Sequence, residues 1–263
     1  MIAQFAIRLI CGMSLAWCLT PRRQITDGFF RIQMLITLGL SVLACLAHLG
    51  GWNNSIPQTA GEPGSAWGIH THTWLCGATA IVAYVGSFTW ALGRRRIGTV
   101  CIVLITALAL VLLVQSARTA SSTSLPMSLM VVASELSTAL LLGAAMVSML
   151  LGHWYLTATG MPLAPLKRLN LVLGVATLLR IALAIIGFVL IGGLPESDHQ
   201  RLLLSLRWLA GLVSPLVVVV MVSRILEYRN TQSATGVLYV GVVLILTGEL
   251  TATLLAHELS MPV

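Results

Sequence analysis

Eight times along its 263 residues this chain runs for about twenty residues or more with few or no charges. The segments lie roughly at 3–20, 32–50, 73–92, 97–116, 127–155, 169–193, 203–226 and 235–257. An α-helix rises about 1.5 Å per residue, so about twenty apolar residues cover a bilayer's hydrocarbon core. The apolar runs are continuous rather than alternating, which selects helices over a β-barrel. Composition agrees: 57% of residues are hydrophobic and 9% charged, with a mean hydropathy of +0.95. The expected fold is all-α, a polytopic membrane protein of eight transmembrane helices. A pI near 9.7 raises nucleic acid as a partner. The basic residues, however, punctuate apolar spans and form no basic arm, so the bilayer is expected instead and nucleic acid is not.

Lys and Arg in the loops set the expected orientation. One set of loops holds Arg22, Arg23, Arg31, Arg94, Arg95, Arg96, Lys167, Arg168, Arg224 and Arg229, and the opposite set only Arg118 and Arg201. The first set reads as cytoplasmic, which puts both termini outside in a multi-pass protein of a bacterial-type inner (cytoplasmic) membrane. All seven tryptophans (Trp17, Trp52, Trp67, Trp74, Trp90, Trp154, Trp208) fall near predicted boundaries, as an aromatic belt would. Arg8 before an apolar run resembles the start of a signal peptide, but no A-x-A site follows, and the first segment is read as a retained span. The five cysteines lie within apolar segments without a CxxC pair and are expected to be free thiols.

The two halves of the chain resemble each other. AWCLT at Ala16–Thr20 matches HWYLT at His153–Thr157, and Arg31 matches Arg168. TWLCG at Thr73–Gly77 matches RWLAG at Arg207–Gly211, and GTVCIVLITAL from Gly98 matches GVLYVGVVLIL from Gly236. Order and spacing are both kept, which predicts a parallel 4+4 internal duplication: residues 1–126 carry the first four helices and 127–263 the second. Copying an even number of spans preserves their direction, so the repeats are related by an axis along the membrane normal. Shared residues (Trp17/Trp154, Arg31/Arg168, Trp74/Trp208, Gly77/Gly211) then read as scaffold. Residues present in one half only are the better functional candidates, and most ionisable ones fall in the second half.

Charges inside a membrane are costly and face a bundle interior, a cavity or one another. Glu135, Arg180, Arg207 and Glu249 stand within spans at neighbouring predicted depths, which makes two ion pairs or a polar pocket. Glu249, Thr253 and His257 follow at i, i+4 and i+8 and share one helix face. That line leads from mid-span to the outer boundary, a path for a proton, and against it stands plain packing through small residues with Thr253 bonded to its own backbone. His153, beside Trp154, lies at the opposite boundary and reads as an interfacial histidine. His48, His70 and His72 lie near the outer face, where an H-x-H pair with a third histidine is a metal candidate, but no cysteine or acid is fixed beside them. No metal or haem is expected, since matched histidine pairs in the two halves are absent. No P-loop, GxGxxG, HExxH or nucleophile elbow occurs.

The expected function is a haem-free integral membrane subunit of an electron-transfer complex, not catalytic alone. It would bind quinone or quinol near the outer leaflet through Glu135, Arg180, Arg207, Glu249, Thr253 and His257, with other subunits of the complex as partners. The cytoplasmic loops are too short for a soluble catalytic domain, so electrons would come from those partners. A small-solute or ion transporter is the alternative, suited by the duplication and the charged site, although paired broken helices are lacking. A structural or assembly protein, whose charges only hold helices in register, is the third.

Overall fold

The structure, a computed structural model, describes residues 2–50, 63–120, 125–158, 160–191 and 197–259; at 63–70, 118–120, 125–127, 190–191 and 257–259 it describes the backbone alone. The described residues form helices and short connections, with no strand among them. The helices are α1 (Ile2–Leu19), α2 (Asp27–Leu49), α3 (Pro63–Ala91), α4 (Arg95–Ala120), α5 (Leu125–Thr157), α6 (Ala164–Ile191), α7 (Asp198–Leu206), α8 (Ser214–Glu227) and α9 (Thr231–Leu259). A 3₁₀ turn spans Arg22–Gln24, and a π-helical segment at Arg207–Val213 joins α7 to α8 in one continuous rod. Counting that rod once, the described residues hold eight helices long and apolar enough to cross a membrane.

Each observed helix begins ahead of its expected span and ends within a few residues of the expected end, because caps rather than hydropathy set these limits. Ser197 caps α7 by accepting from Gln200 N at 3.2 Å, and Asn230 caps α9 by accepting from Ser233 N at 3.0 Å. At the end of α3, Gly93 takes φ +68°. Its N–H reaches Trp90 O at 3.2 Å, and Arg94 N reaches Thr89 O at 3.0 Å. This paired closure needs a left-handed residue, which glycine adopts without a Cβ penalty. The seventh span departs from regular α-helix just before Pro215. Proline has no N–H to give to Gly211 O, and its ring pushes that carbonyl away, so the preceding turn widens.

Within each half the long helices neighbour one another in the same cyclic order. In the first, α1 packs on α2 and α4, and α3 joins α2 to α4. In the second, α5 packs on α6 and α9, and the α7–α8 rod joins α6 to α9. The halves meet chiefly through α1 and α5. Gly12 makes that contact close: a Cβ there would run into the backbone of Ala139 and Gly143. Around the seam lies one core, including Ile7, Ile10, Met13, Trp17, Phe30, Ile105, Leu141 and Leu173. The peripheral helices turn large apolar side chains outward, among them Leu46, Ile81, Phe88, Leu171, Val189 and Val243. An apolar exterior of this extent is what a lipid-facing surface requires.

Two of the belt tryptophans belong to the interior instead. Trp17 is wholly buried, and Trp90 stacks on Phe30 with centroids 4.6 Å apart. Gly98 makes room for the Trp90 indole, since a Cβ would lie 2.6 Å from it. Trp74 is exposed, and Trp154 donates from Nε1 to Thr26 Oγ1 at 2.7 Å. The five cysteines are free; Cys11, Cys76 and Cys101 are buried, Cys45 is half-buried and Cys18 is exposed.

Candidate functional site

The charged residues expected inside the spans meet at one level, roughly two to three turns from the end of the bundle where α1 begins and α9 finishes. Arg180 on α6 approaches Glu249 on α9 side-on: Nε donates to Oε1 at 3.0 Å and Nη2 to Oε2 at 3.2 Å. Thr138 on α5 adds a third donor to Glu249 Oε2, at 3.2 Å. Arg180 spends its remaining arm on Ser134 Oγ, at 2.7 Å. Arg180 and Glu249 are both buried, so the pair holds its geometry with little help from solvent.

Glu135, next to Ser134, faces another way and pairs with Arg8 on α1. Arg8 Nε donates to Glu135 Oε2 at 2.6 Å, Nη2 reaches Oε1, and Gln4 Nε2 donates to the same Oε1 at 3.2 Å. Ser134 and Glu135 thereby join two ion pairs through adjacent residues of one helix. The network crosses from α1 through α5 to α6 and α9. Arg8 and Glu249 also lie within electrostatic range of each other.

Depth along the spans leads one to expect the two glutamates opposite Arg180 and Arg207. The structure gives the first pairing and substitutes Arg8 for Arg207 in the second. Arg8 had the look of a signal-peptide charge. The signal for its role was the arithmetic of the spans, where its inclusion makes three arginines against two glutamates. Gln4, Ser134 and Thr138 carry no such mark, because uncharged polar residues are common in helices of this kind.

Arg207 opens the π-helical segment and is 2% exposed. Its Nε, Nη1 and Nη2 are buried and have no hydrogen-bond partner among the described residues. It lies within electrostatic range of Arg180 and Glu249. The segment is pressed on α9 at Gly211, where a Cβ would come within 2.9 Å of Gly248 Cα.

On the α1 side of the network a cleft of about 350 Å³ opens between α1, α5 and α9. Ile2, Phe5, Leu142, Leu246 and Leu250 wall it, and Gln4, Arg8, Glu249 and Thr253 supply its polar groups. Apolar walls with a few convergent polar groups are the usual form of a small-molecule site. A larger groove of about 630 Å³ runs between α6 and α8, but it touches none of the buried charges.

The remaining candidates lie apart. Thr253 borders the cleft, and its hydroxyl donates to Glu249 O at 2.8 Å. The His257 side chain lies outside the described residues, so the outer end of the expected proton line is undescribed. His48 and His72 stack with centroids 5.5 Å apart and planes 12° apart, while His48 Nδ1 sits 2.8 Å from Ala44 O. Parallel rings do not converge their nitrogens on one point. The His70 side chain lies outside the described residues, and no group of three metal-ligating side chains occurs among those described. His153 is exposed and meets Tyr239 edge-on, away from the network.

No protein-family model, curated protein or solved structure matches this chain.

Proposed function

We propose that this chain is a multi-pass membrane protein with both termini outside, and that it binds a quinone or quinol in the cleft between α1, α5 and α9. It would act as a haem-free subunit of an electron-transfer complex whose other subunits supply or take the electrons. Membrane insertion draws its support from the eight long apolar helices and their outward apolar side chains. The shared cyclic helix order of the two halves favours the 4+4 duplication.

The observation that carries the quinone reading is the amphipathic cleft itself. Its apolar walls suit a ring and the start of an isoprenoid tail. Arg8 and Gln4 border the cleft with N–H-bearing side chains that suit a quinone oxygen, and Glu249 is the carboxylate that borders the same space. Arg180 engages both oxygens of Glu249. Accepting a quinol proton would therefore weaken that pair, which couples proton uptake to movement of Arg180. Thr253, whose hydroxyl donates to Glu249 O, stands next on the line toward His257.

The direct experiment is photolabelling of the purified protein with an azidoquinone. Label should appear on α1 and α9, compete with unlabelled quinone, and fall in Arg8→Gln. Label that ignores both the competitor and the substitution defeats the reading.

A second reading is favoured by one separate observation. The π-helical segment at Arg207–Val213 breaks the regularity of a spanning helix beside a buried charge, and such segments often mark functional positions. A transporter for a small solute or ion would use it as a moving part. Solute flux in proteoliposomes, lost in Arg207→Gln, distinguishes this from the quinone subunit.

A further inference from the structure

Five ionisable side chains share one level, with Arg180, Arg207 and Glu249 buried and Arg8 and Glu135 half-buried. Three positive and two negative charges leave a net charge of one. The two glutamates do not spread themselves evenly. Glu135 gives both oxygens to Arg8, and Glu249 gives both to Arg180 and Thr138. The excess therefore resides on Arg207.

A guanidinium cannot shed its charge as a buried lysine does, because it stays protonated in proteins. Nor does it tolerate isolation, since an uncompensated ion out of water is among the costliest states in a folded chain. Yet Arg207 is 2% exposed, and none of its three nitrogens has a partner among the described residues. The charges that act on it electrostatically are Arg180, which repels it, and Glu249, whose oxygens are already engaged. The fork is thus buried and finds no acceptor among the described residues.

Its place in the fold explains how such a fork is held. Arg207 is the first residue of the π-helical segment, which is fixed against α9 by the Gly211–Gly248 contact and followed by Pro215. A widened turn removes regular i→i+4 order at the point where the charge enters. The backbone contact keeps α9 close enough to seal the side chain from its surroundings.

We infer that Arg207 anchors a binding site for a small monovalent anion of the halide class, enclosed between the π-helical segment, α6 and α9. One negative charge closes the balance of that level, and it relieves the repulsion between Arg207 and Arg180. Three nitrogens shut away from the surface favour an ion of few atoms over a lipid head group. The site does not rest on the quinone reading, because Arg207 does not border the cleft.

The test uses the full chain in detergent, followed by tryptophan fluorescence during thermal unfolding. Exchange of chloride for gluconate at constant ionic strength should lower Tm, and bromide or chloride should restore it with a saturable midpoint. Sulfate at equal ionic strength should not restore it. Chloride-35 NMR line broadening gives a direct binding readout. In Arg207→Gln the midpoint should rise by about thirtyfold or more, as when one partner of a buried charge pair is truncated. If Arg207→Gln does not fold, Arg207→Lys keeps the charge without the fork and should still weaken the midpoint. Equal Tm in chloride and gluconate, equal protection by sulfate, or an unchanged midpoint in the variant overturns the site. Azidoquinone labelling of the cleft should be indifferent to the anion, so the two proposals fail separately.

Discussion

Arg180 and Glu249 meet through two parallel hydrogen bonds, Nε to Oε1 at 3.0 Å and Nη2 to Oε2 at 3.2 Å, with side chains only 4% and 7% exposed. A pair so deeply placed is asymmetric in its energetics. Its formation gains little over two apolar residues, while its half-removal leaves a bare charge. Arg180→Gln and Glu249→Gln should therefore each destabilise the protein by about 3 kcal/mol or more. The double replacement Arg180→Met with Glu249→Leu should recover most of that loss. Reversible unfolding in mixed micelles measures it, and additive losses in the double variant would contradict the geometry.

The Arg8–Glu135 pair is built the same way but sits closer to the surface, with side chains 14% and 12% exposed. Water reaches it more readily, so a partner left behind is better solvated. Glu135→Gln should cost less than Glu249→Gln, about 1–2 kcal/mol. A Gln4→Leu change should reduce that cost further, because Gln4 bonds only to Glu135 in this network. A double-mutant cycle between positions 4 and 135 reads the coupling directly.

The eight long apolar helices were legible in the sequence because continuous, non-alternating apolar runs of that length read as helices. The level of Glu135, Arg180, Arg207 and Glu249 was legible too, since depth along a helix follows from residue count. Partner choice was not. Which arginine meets Glu135 depends on how α1 is rotated against α5, and that rotation is fixed by the Gly12 contact with Ala139 and Gly143. Small residues permit a close approach without announcing which of several they will make. Proximity to a boundary likewise could not tell Trp17, wholly buried, from Trp74, which is exposed.

Gly77 and Gly211 should respond differently to a methyl group. A Cβ on Gly77 meets nothing within 4 Å, whereas one on Gly211 runs into Gly248 at 2.9 Å. Gly77→Ala should be neutral or stabilising by up to about 1 kcal/mol, from helix propensity. Gly211→Ala should push α9 off the π-helical segment at a cost of about 1–3 kcal/mol. Thermal unfolding of the two variants side by side checks the contrast. Equal effects would mean that the Gly211–Gly248 approach is looser than the structure has it.

The cleft gives the last prediction, which separates binding from folding. Leu246 borders it from α9, about one turn before Glu249, and makes no part of the ion pairs. Leu246→Trp should fill the space a quinone ring would take while leaving Arg180 and Glu249 engaged. Quinone affinity should fall by about tenfold or more, the equivalent of some 1.4 kcal/mol. Tm should shift far less than in Glu249→Gln, because no buried charge loses its partner. Arg8→Gln should weaken both quinone binding and stability, since that side chain serves the cleft and Glu135 together. Competition against a photoactive quinone measures the first quantity and thermal unfolding the second. Unchanged quinone affinity in Leu246→Trp, with the protein folded, would place any quinone elsewhere on the chain.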